Sequence, residues 1–184
     1  MQKHRKMIFL SLLVAFGIGL HIIENMIPIP FPVPGAKLGL ANIISLLAVV
    51  IYGLKEGLIV SILRCIIGAL LAGSFSSLLY SLSGAILSTL IMAFAYSYFK
   101  NIFSLAGISI LGGVTHNFTQ VTVASLTLST FGLYIYLPFL MVIGLFTGLF
   151  TGLVANFVNQ NLSTTLIKIG FLGEEKINHE TKLS

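Results

Sequence analysis

MIFLSLLVAFGIGLHIIENMI, residues 7–27, followed at once by Pro28-Ile29-Pro30-Phe31-Pro32-Val33-Pro34, sets the class of the whole chain. The first stretch is as long as the roughly 20 apolar residues that a helix needs to cross a bilayer. The second removes backbone donors at alternate positions and cannot continue that helix. A proline-dense loop of this kind belongs at the membrane edge or against protein, because lipid offers its carbonyls no partners. Working outward, the apolar runs between breakers predict further helices at about 36–52, 56–72, 76–99, 107–129 and 135–158. The reading is an all-α, polytopic membrane protein built as a six-transmembrane-helix bundle. Residues 1–184 form one integral membrane domain, and a polar tail over about 160–184 carries Lys168, Glu174, Glu175, Lys176, Glu180 and Lys182.

Composition agrees with that reading. Of 184 residues 57% are hydrophobic and 8% charged, against about 25% charged in soluble domains. Mean hydropathy is +1.04. The 18 glycines suit close helix packing in lipid. The net charge of +5 is scattered, which argues against a nucleic-acid partner. The lone Cys65 offers neither a disulfide nor a thiolate cluster. With the N-terminus cytoplasmic, Lys3, Arg5, Lys6, Lys55, Lys100, Lys168, Lys176 and Lys182 fall inside and only Lys37 outside, as the positive-inside rule requires. Both termini are therefore expected in the cytoplasm of a multi-pass cell-membrane protein. The first run lacks a small-x-small cleavage site after its end, so it reads as a retained span rather than a signal peptide.

Charge within a bilayer costs about 2.5–3.5 kcal/mol per residue on insertion scales, so ionisable groups there point to function. Four of the six predicted helices place such groups in the middle or outer half. The first contributes His21, Glu24 and Asn25; the second Lys37 and Asn42; the third Arg64; the fifth His116, Asn117 and Gln120. His21 and Glu24 share a face, as do His116 and Gln120. Structural explanations remain open: Arg64 paired with Glu24, Lys37 reaching to lipid headgroups, His116 and Gln120 bonding between helices. The functional reading is an outward pocket for a ligand with a carboxylate or phosphate end. A second helix starting just after Pro34-Gly35 would aim free N–H groups outward, with Lys37 in its first turn. The ligand's apolar part would lie against Phe31, Phe118 and neighbouring aliphatics. Small residues align at Ser11, Ala15 and Gly19, and again at Gly144, Gly148 and Gly152; each set serves either internal packing or a partner helix.

Several chemistries are excluded. The chain has no P-loop, so it does not itself bind ATP in that manner. It has no Asp, and so lacks the paired carboxylates usual in magnesium-dependent diphosphate chemistry. There is no Cys/His set spaced for zinc and no Gly-x-Ser-x-Gly turn. No enzyme activity, metal or cofactor is expected. A polar outward pocket without a catalytic set describes a binder or carrier.

Three stretches carry a resemblance: Gly19-Leu20-His21-Ile22-Ile23-Glu24-Asn25, Gly35-Ala36-Lys37-Leu38-Gly39-Leu40-Ala41-Asn42, and Gly112-Gly113-Val114-Thr115-His116-Asn117-Phe118-Thr119-Gln120. They resemble the Gx transporter family, also labelled heptaprenyl diphosphate synthase component I, over about residues 7–170. The resemblance implies a bundle similar to the substrate-binding S components of energy-coupling factor transporters, with an outward pocket beneath the first loop. It also implies a small-residue face on the first helix that contacts a transmembrane coupling subunit, which works with ATPase subunits. Ser11, Ala15 and Gly19 match that face, with Ser and Gly replacing the usual Ala. The alternative implied by the label is a non-catalytic membrane accessory of isoprenoid or quinone-precursor synthesis, and a structural scaffold is the third possibility.

Overall fold

A computed structural model of the chain describes residues 2–27, 37–73 and 75–168. They form α1 (Gln2–Met26), α2 (Asn42–Tyr52), α3 (Leu54–Leu71), α4 (Phe75–Phe99), α5 (Leu105–Thr127), a 3-10 turn (Phe131–Tyr136) and α6 (Leu137–Lys168). Among the described residues there is no strand, and the bundle is all-α as expected. Local chemistry sets several ends. Gly53, at φ +99°, turns the chain between α2 and α3 in a conformation that side chains with a Cβ rarely adopt. Ser104 caps α5, its Oγ accepting from the Gly107 N–H at 3.3 Å. Pro138 sits in the first turn of α6, where its missing N–H leaves no helix bond unmade.

Three boundaries correct the expectation, the first helix already beginning at Gln2 rather than about residue 7. The second helix begins at Asn42 rather than about residue 36, so Lys37 precedes it instead of lying in its first turn. The reason is Gly39, whose φ of +83° breaks any helix across 37–41. The last helix runs on to Lys168, past the expected end at 158, and the tail from 169 onward lies outside the described residues.

α2 is the centre of the bundle. Every residue from Asn42 to Ile51 is buried, and the helix touches all five of the others. A helix that is apolar all round has no solvent face and must be enclosed. Around it α1 packs on α3, α3 on α4, α4 on α5, and α5 on α6. At one end Lys6 of α1 pairs with Glu56 of α3 at 2.5 Å while its Nζ lies 5.2 Å from the centre of the Tyr52 ring. This brings the start of α1, the end of α2 and the start of α3 to one level.

The outside is hydrocarbon. Phe16, Phe146, Phe150 and Phe157 are among many large apolar side chains that stay exposed, a surface suited to lipid. Three segments, Lys3–Glu24, Leu78–Phe99 and Phe131–Asn161, are long and apolar enough to cross a membrane. At eleven residues, α2 rises only about 16 Å, roughly half the hydrocarbon thickness. These features fit a helical membrane protein.

The two small-residue rows have opposite roles. Gly148 of α6 lies so close to α5 that a Cβ there would stand 2.6 Å from the Ile110 Cα; at Gly144 it would stand 2.9 Å from Asn117 Nδ2. Gly152 approaches Ala106 in the same way. That row is internal packing. Ser11, Ala15 and Gly19, by contrast, are all exposed, and a Cβ on Gly19 would meet nothing within 4 Å.

Candidate functional site

The candidate site forms where one end of α1, the 37–41 segment, the start of α2 and the middles of α3 and α5 meet. Its side chains are polar and enclosed: His21, Glu24, Lys37, Asn42, Arg64, His116 and Gln120 are each at most 4% exposed. Seven of the nine predicted ligand-site residues are thus buried in one region of the bundle.

Glycine makes the close approaches. A Cβ on Gly68 of α3 would stand 2.7 Å from His21 Cδ2, and one on Gly17 of α1 would stand 3.0 Å from Arg64 Cδ. One on Gly84 of α4 would lie 2.9 Å from His116 Nδ1. Each glycine is the socket for a ring or guanidinium stem from a facing helix, and a larger residue would push that group off position.

The segment 37–40 is strapped to three helices in turn. The Lys37 N–H donates to Gln120 Oε1 of α5 at 3.3 Å. The Leu38 carbonyl accepts from Thr147 Oγ1 of α6 at 2.8 Å. The Leu40 N–H donates to Glu24 Oε1 of α1. The segment then enters α2 through a turn in which the N–H groups of Asn42, Ile43 and Ile44 donate to the carbonyls of Gly39, Leu40 and Ala41. These bonds overturn the expected anion site at the second helix's N-terminus, because its first N–H groups are already taken by the preceding turn.

Charge is arranged differently from the expectation as well. Lys37 does not reach to headgroups; it is buried, with Nζ 2.6 Å from His21 Nε2. A lysine ammonium can donate there only when His21 keeps its lone pair on Nε2 and its proton on Nδ1. Arg64 does not pair with Glu24. Its Nη2 donates to Asn42 Oδ1 at 2.9 Å and its Nε to Ser45 Oγ at 3.3 Å. Ser45 in turn accepts from Ser61 Oγ at 2.6 Å, and Ser61 lies 2.7 Å from Thr89 Oγ1. Among the described residues, the one carboxylate–cation contact within 4 Å is Lys6–Glu56, far from this site. Glu24 accepts from backbone, and Lys37 and Arg64 hydrogen-bond to neutral groups with its carboxylate as the nearby countercharge.

Two buried polar atoms of the cluster have no hydrogen-bond partner among the described residues, Asn42 Nδ2 and His116 Nδ1. A Cβ on Gly39 would stand 3.1 Å from Asn42 Nδ2, so that amide lies beneath the Gly39 backbone, whereas His116 Nδ1 faces Gly84 of α4. Orphaned buried donors are rare, and each calls for an explanation such as a bound group.

Other predicted residues fall elsewhere. Asn117 turns to α6, its Nδ2 donating to the Leu140 carbonyl at 2.6 Å, because one residue along a helix rotates a side chain about 100° from its neighbour His116. Phe118 is 44% exposed and does not line the cluster. The Asn25 side chain and Phe31 lie outside the described residues. Ser45, Ser61 and Thr89 escaped the sequence reading. The signal was present, since Asn42 with Ser45 and Ser61 with Arg64 are pairs three apart, each on one helix face. What the site can do is hold an anion: two enclosed cations, an unpartnered amide donor, and no nucleophile–base pair.

The family model for heptaprenyl diphosphate synthase component I matches residues 13–158. No curated protein and no solved structure matches the chain. The matched span contains α2 to α5 whole, most of α1 and α6, and every residue of the polar cluster. The chain is a membrane-associated helical protein and belongs to the heptaprenyl diphosphate synthase component I family.

Proposed function

We propose that this protein is the substrate-binding membrane subunit of a transporter resembling the energy-coupling factor systems, and that it takes a small or amphipathic anion. The observation that carries the reading is the enclosed pair of cations, Lys37 and Arg64, which contact only neutral acceptors while Glu24 is held by backbone. One carboxylate, Glu24, stands against these two buried cations, and the net positive charge left in the enclosed cluster would attract an incoming carboxylate or phosphate. Asn42 Nδ2 supplies a further donor. In this reading the chain crosses the membrane six times with both termini cytoplasmic, and the polar cluster opens toward the outside. The chain catalyses no reaction and needs no cofactor. With no nucleotide-binding loop it depends on a transmembrane coupling subunit and ATPase subunits, which the exposed Ser11, Ala15 and Gly19 row would contact.

The test is native mass spectrometry of the full chain released from membranes. An anionic small molecule is expected on the wild type and depleted at least tenfold, about 1.4 kcal/mol, in Lys37→Gln or Arg64→Gln proteins that keep the wild-type melting profile. Equal retention by both variants would overturn the anion site. The family description favours a second reading, a non-catalytic accessory of isoprenoid or quinone-precursor synthesis. In that case affinity purification should recover a catalytic prenyl synthase in place of coupling and ATPase subunits.

A further inference from the structure

Within the polar cluster, the Asn42 amide is the group whose orientation is fixed and whose donor is unused. Its Oδ1 accepts from Arg64 Nη2 at 2.9 Å. A guanidinium has no acceptor, so the amide atom facing it must be the oxygen, and the amide cannot be turned over. Nδ2 is therefore a donor held away from Arg64, in a side chain 2% exposed, and it has no partner among the described residues. A glycine keeps the space before it clear. Apart from Gly39 and its neighbours in the chain, the atoms nearest to where a Gly39 Cβ would stand are Nδ2 itself, at 3.1 Å, and His116 Cδ2, at 3.9 Å. The backbone N–H of Asn42 already donates to the Gly39 carbonyl at 3.0 Å, so the side chain and not the helix end offers the donor.

Arg64 stands beside that donor. Of the guanidinium's N–H groups, Nε is spent on Ser45 and one on Nη2 is spent on Asn42. An amide and a guanidinium joined through one oxygen make a row of planar donors, which the two oxygens of a carboxylate match. The charges around this row are few. Lys37 and Arg64 contribute two positive charges and Glu24 one negative, and all three side chains are at most 4% exposed. Glu24 lies within electrostatic range of both cations. His21 accepts from Lys37 and so carries no charge. His116 Nδ1 faces Gly84 with no partner among the described residues, where a charged ring would need an acceptor. Cys65 keeps its proton to donate to the Ser81 carbonyl at 3.6 Å. The enclosed cluster therefore holds one net positive charge. A ligand with one negative charge brings it to neutrality, whereas a second negative charge would enter without a counterion, which burial makes costly.

We infer that Asn42 and Arg64 select a ligand whose head is a single carboxylate, one oxygen on Asn42 Nδ2 and the other on the guanidinium, with Lys37 as the neighbouring cation. This rests on the anion-binding reading of the polar cluster and adds the charge and the shape of the head. Asn42 is then a specificity residue. Glu24 sets the charge that the site accepts, because it offsets one of the two cations from its place at the Leu40 N–H. A dianionic head such as a phosphate monoester is disfavoured by its second charge, and a tetrahedral monoanion such as a sulfonate by its shape.

The test is calorimetric titration of the full chain in phosphatidylcholine nanodiscs at neutral pH. Three probes are compared: hexanoate, hexanesulfonate, and butylmalonate, which is hexanoate with a second carboxylate on its α carbon. Hexanoate is expected to bind at least tenfold more tightly than either of the others. Asn42→Asp keeps an oxygen for Arg64, replaces the donor by an acceptor and cancels the net charge. It should keep the wild-type melting temperature and lose hexanoate binding at least tenfold. Glu24→Gln keeps an oxygen for the Leu40 N–H and adds one net positive charge, so it should reverse the preference in favour of butylmalonate. That reversal decides the charge count should Asn42→Asp fail to fold. Equal binding of hexanoate and butylmalonate, or an unchanged preference in Glu24→Gln, overturns the single-charge assignment, while loss of both probes in Lys37→Gln still upholds the anion site. Equal binding of hexanesulfonate overturns the carboxylate assignment, and full hexanoate binding by Asn42→Asp removes the amide from the site. Failure of all three probes to bind overturns the anion site as well.

Discussion

At the scale of single residues, the polar cluster is held by contacts that can be removed one at a time. Glu24 is the clearest. Its carboxylate serves the Leu40 N–H rather than a cation, so its role is that of a backbone acceptor. Glu24→Gln keeps a carbonyl oxygen in place and should retain most of the stability. Glu24→Ala leaves an enclosed N–H without a partner and should cost about 1–3 kcal/mol. Denaturation of the two variants in detergent checks this; equal losses would show that charge, not capping, is what matters at position 24. Gly68 is a similar case from the packing side. Gly68→Leu must displace the His21 ring, now 2.7 Å from where a Cβ would begin, and with it the acceptor for Lys37. It should lower the melting temperature and weaken anion binding together, whereas a loss of stability with full binding would uncouple His21 from the site.

At the scale of elements, the two small-residue rows give opposite expectations from one kind of substitution. Gly148→Leu drives a side chain into the α5 backbone and should cost about 1–3 kcal/mol or prevent folding, as overpacking does. Gly19→Leu or Ala15→Leu places the same side chain on an open face and should leave stability and ligand binding unchanged. If α1 contacts a coupling subunit, these two variants should still lose that subunit in affinity purification. Recovery of the subunit with both would move the contact elsewhere. Sequence spacing alone could not separate the rows, because four-residue periodicity tells which residues share a face but not what the face meets.

At the scale of the whole molecule, the distribution of Lys and Arg predicts orientation. Cys65 is fully buried, so Cys65→Ala provides a background for single-cysteine labelling. A cysteine introduced at position 31 should react with an impermeant maleimide added outside intact cells, and one at position 101 should not. The reverse pattern would invert the topology. The same framework explains how a short central α2 is tolerated: it is sheathed by five helices, so its polar ends meet protein rather than lipid.

The sequence by itself determined the all-α membrane class, the six helices, and the residues that form the buried polar cluster, because hydropathy and breakers act over one segment at a time. Of the nine residues it singled out, the structure buries His21, Glu24, Lys37, Asn42, Arg64, His116 and Gln120 in one region. Only the tertiary structure decided their partners. The left-handed Gly39 moved the start of α2 and took Lys37 out of its first turn. The strap then put Glu24 under a backbone N–H and left Arg64 to Asn42 and Ser45. Asn117 went to α6 through a contact 23 residues away in the chain. The apolar seam between α1 and α6, bordered by Phe9, Leu13, Phe150 and Val154, has no local signature, since it is the gap left between helices far apart in the sequence. Pairings of this kind depend on how helices cross in space, and segment-by-segment polarity carries no record of that.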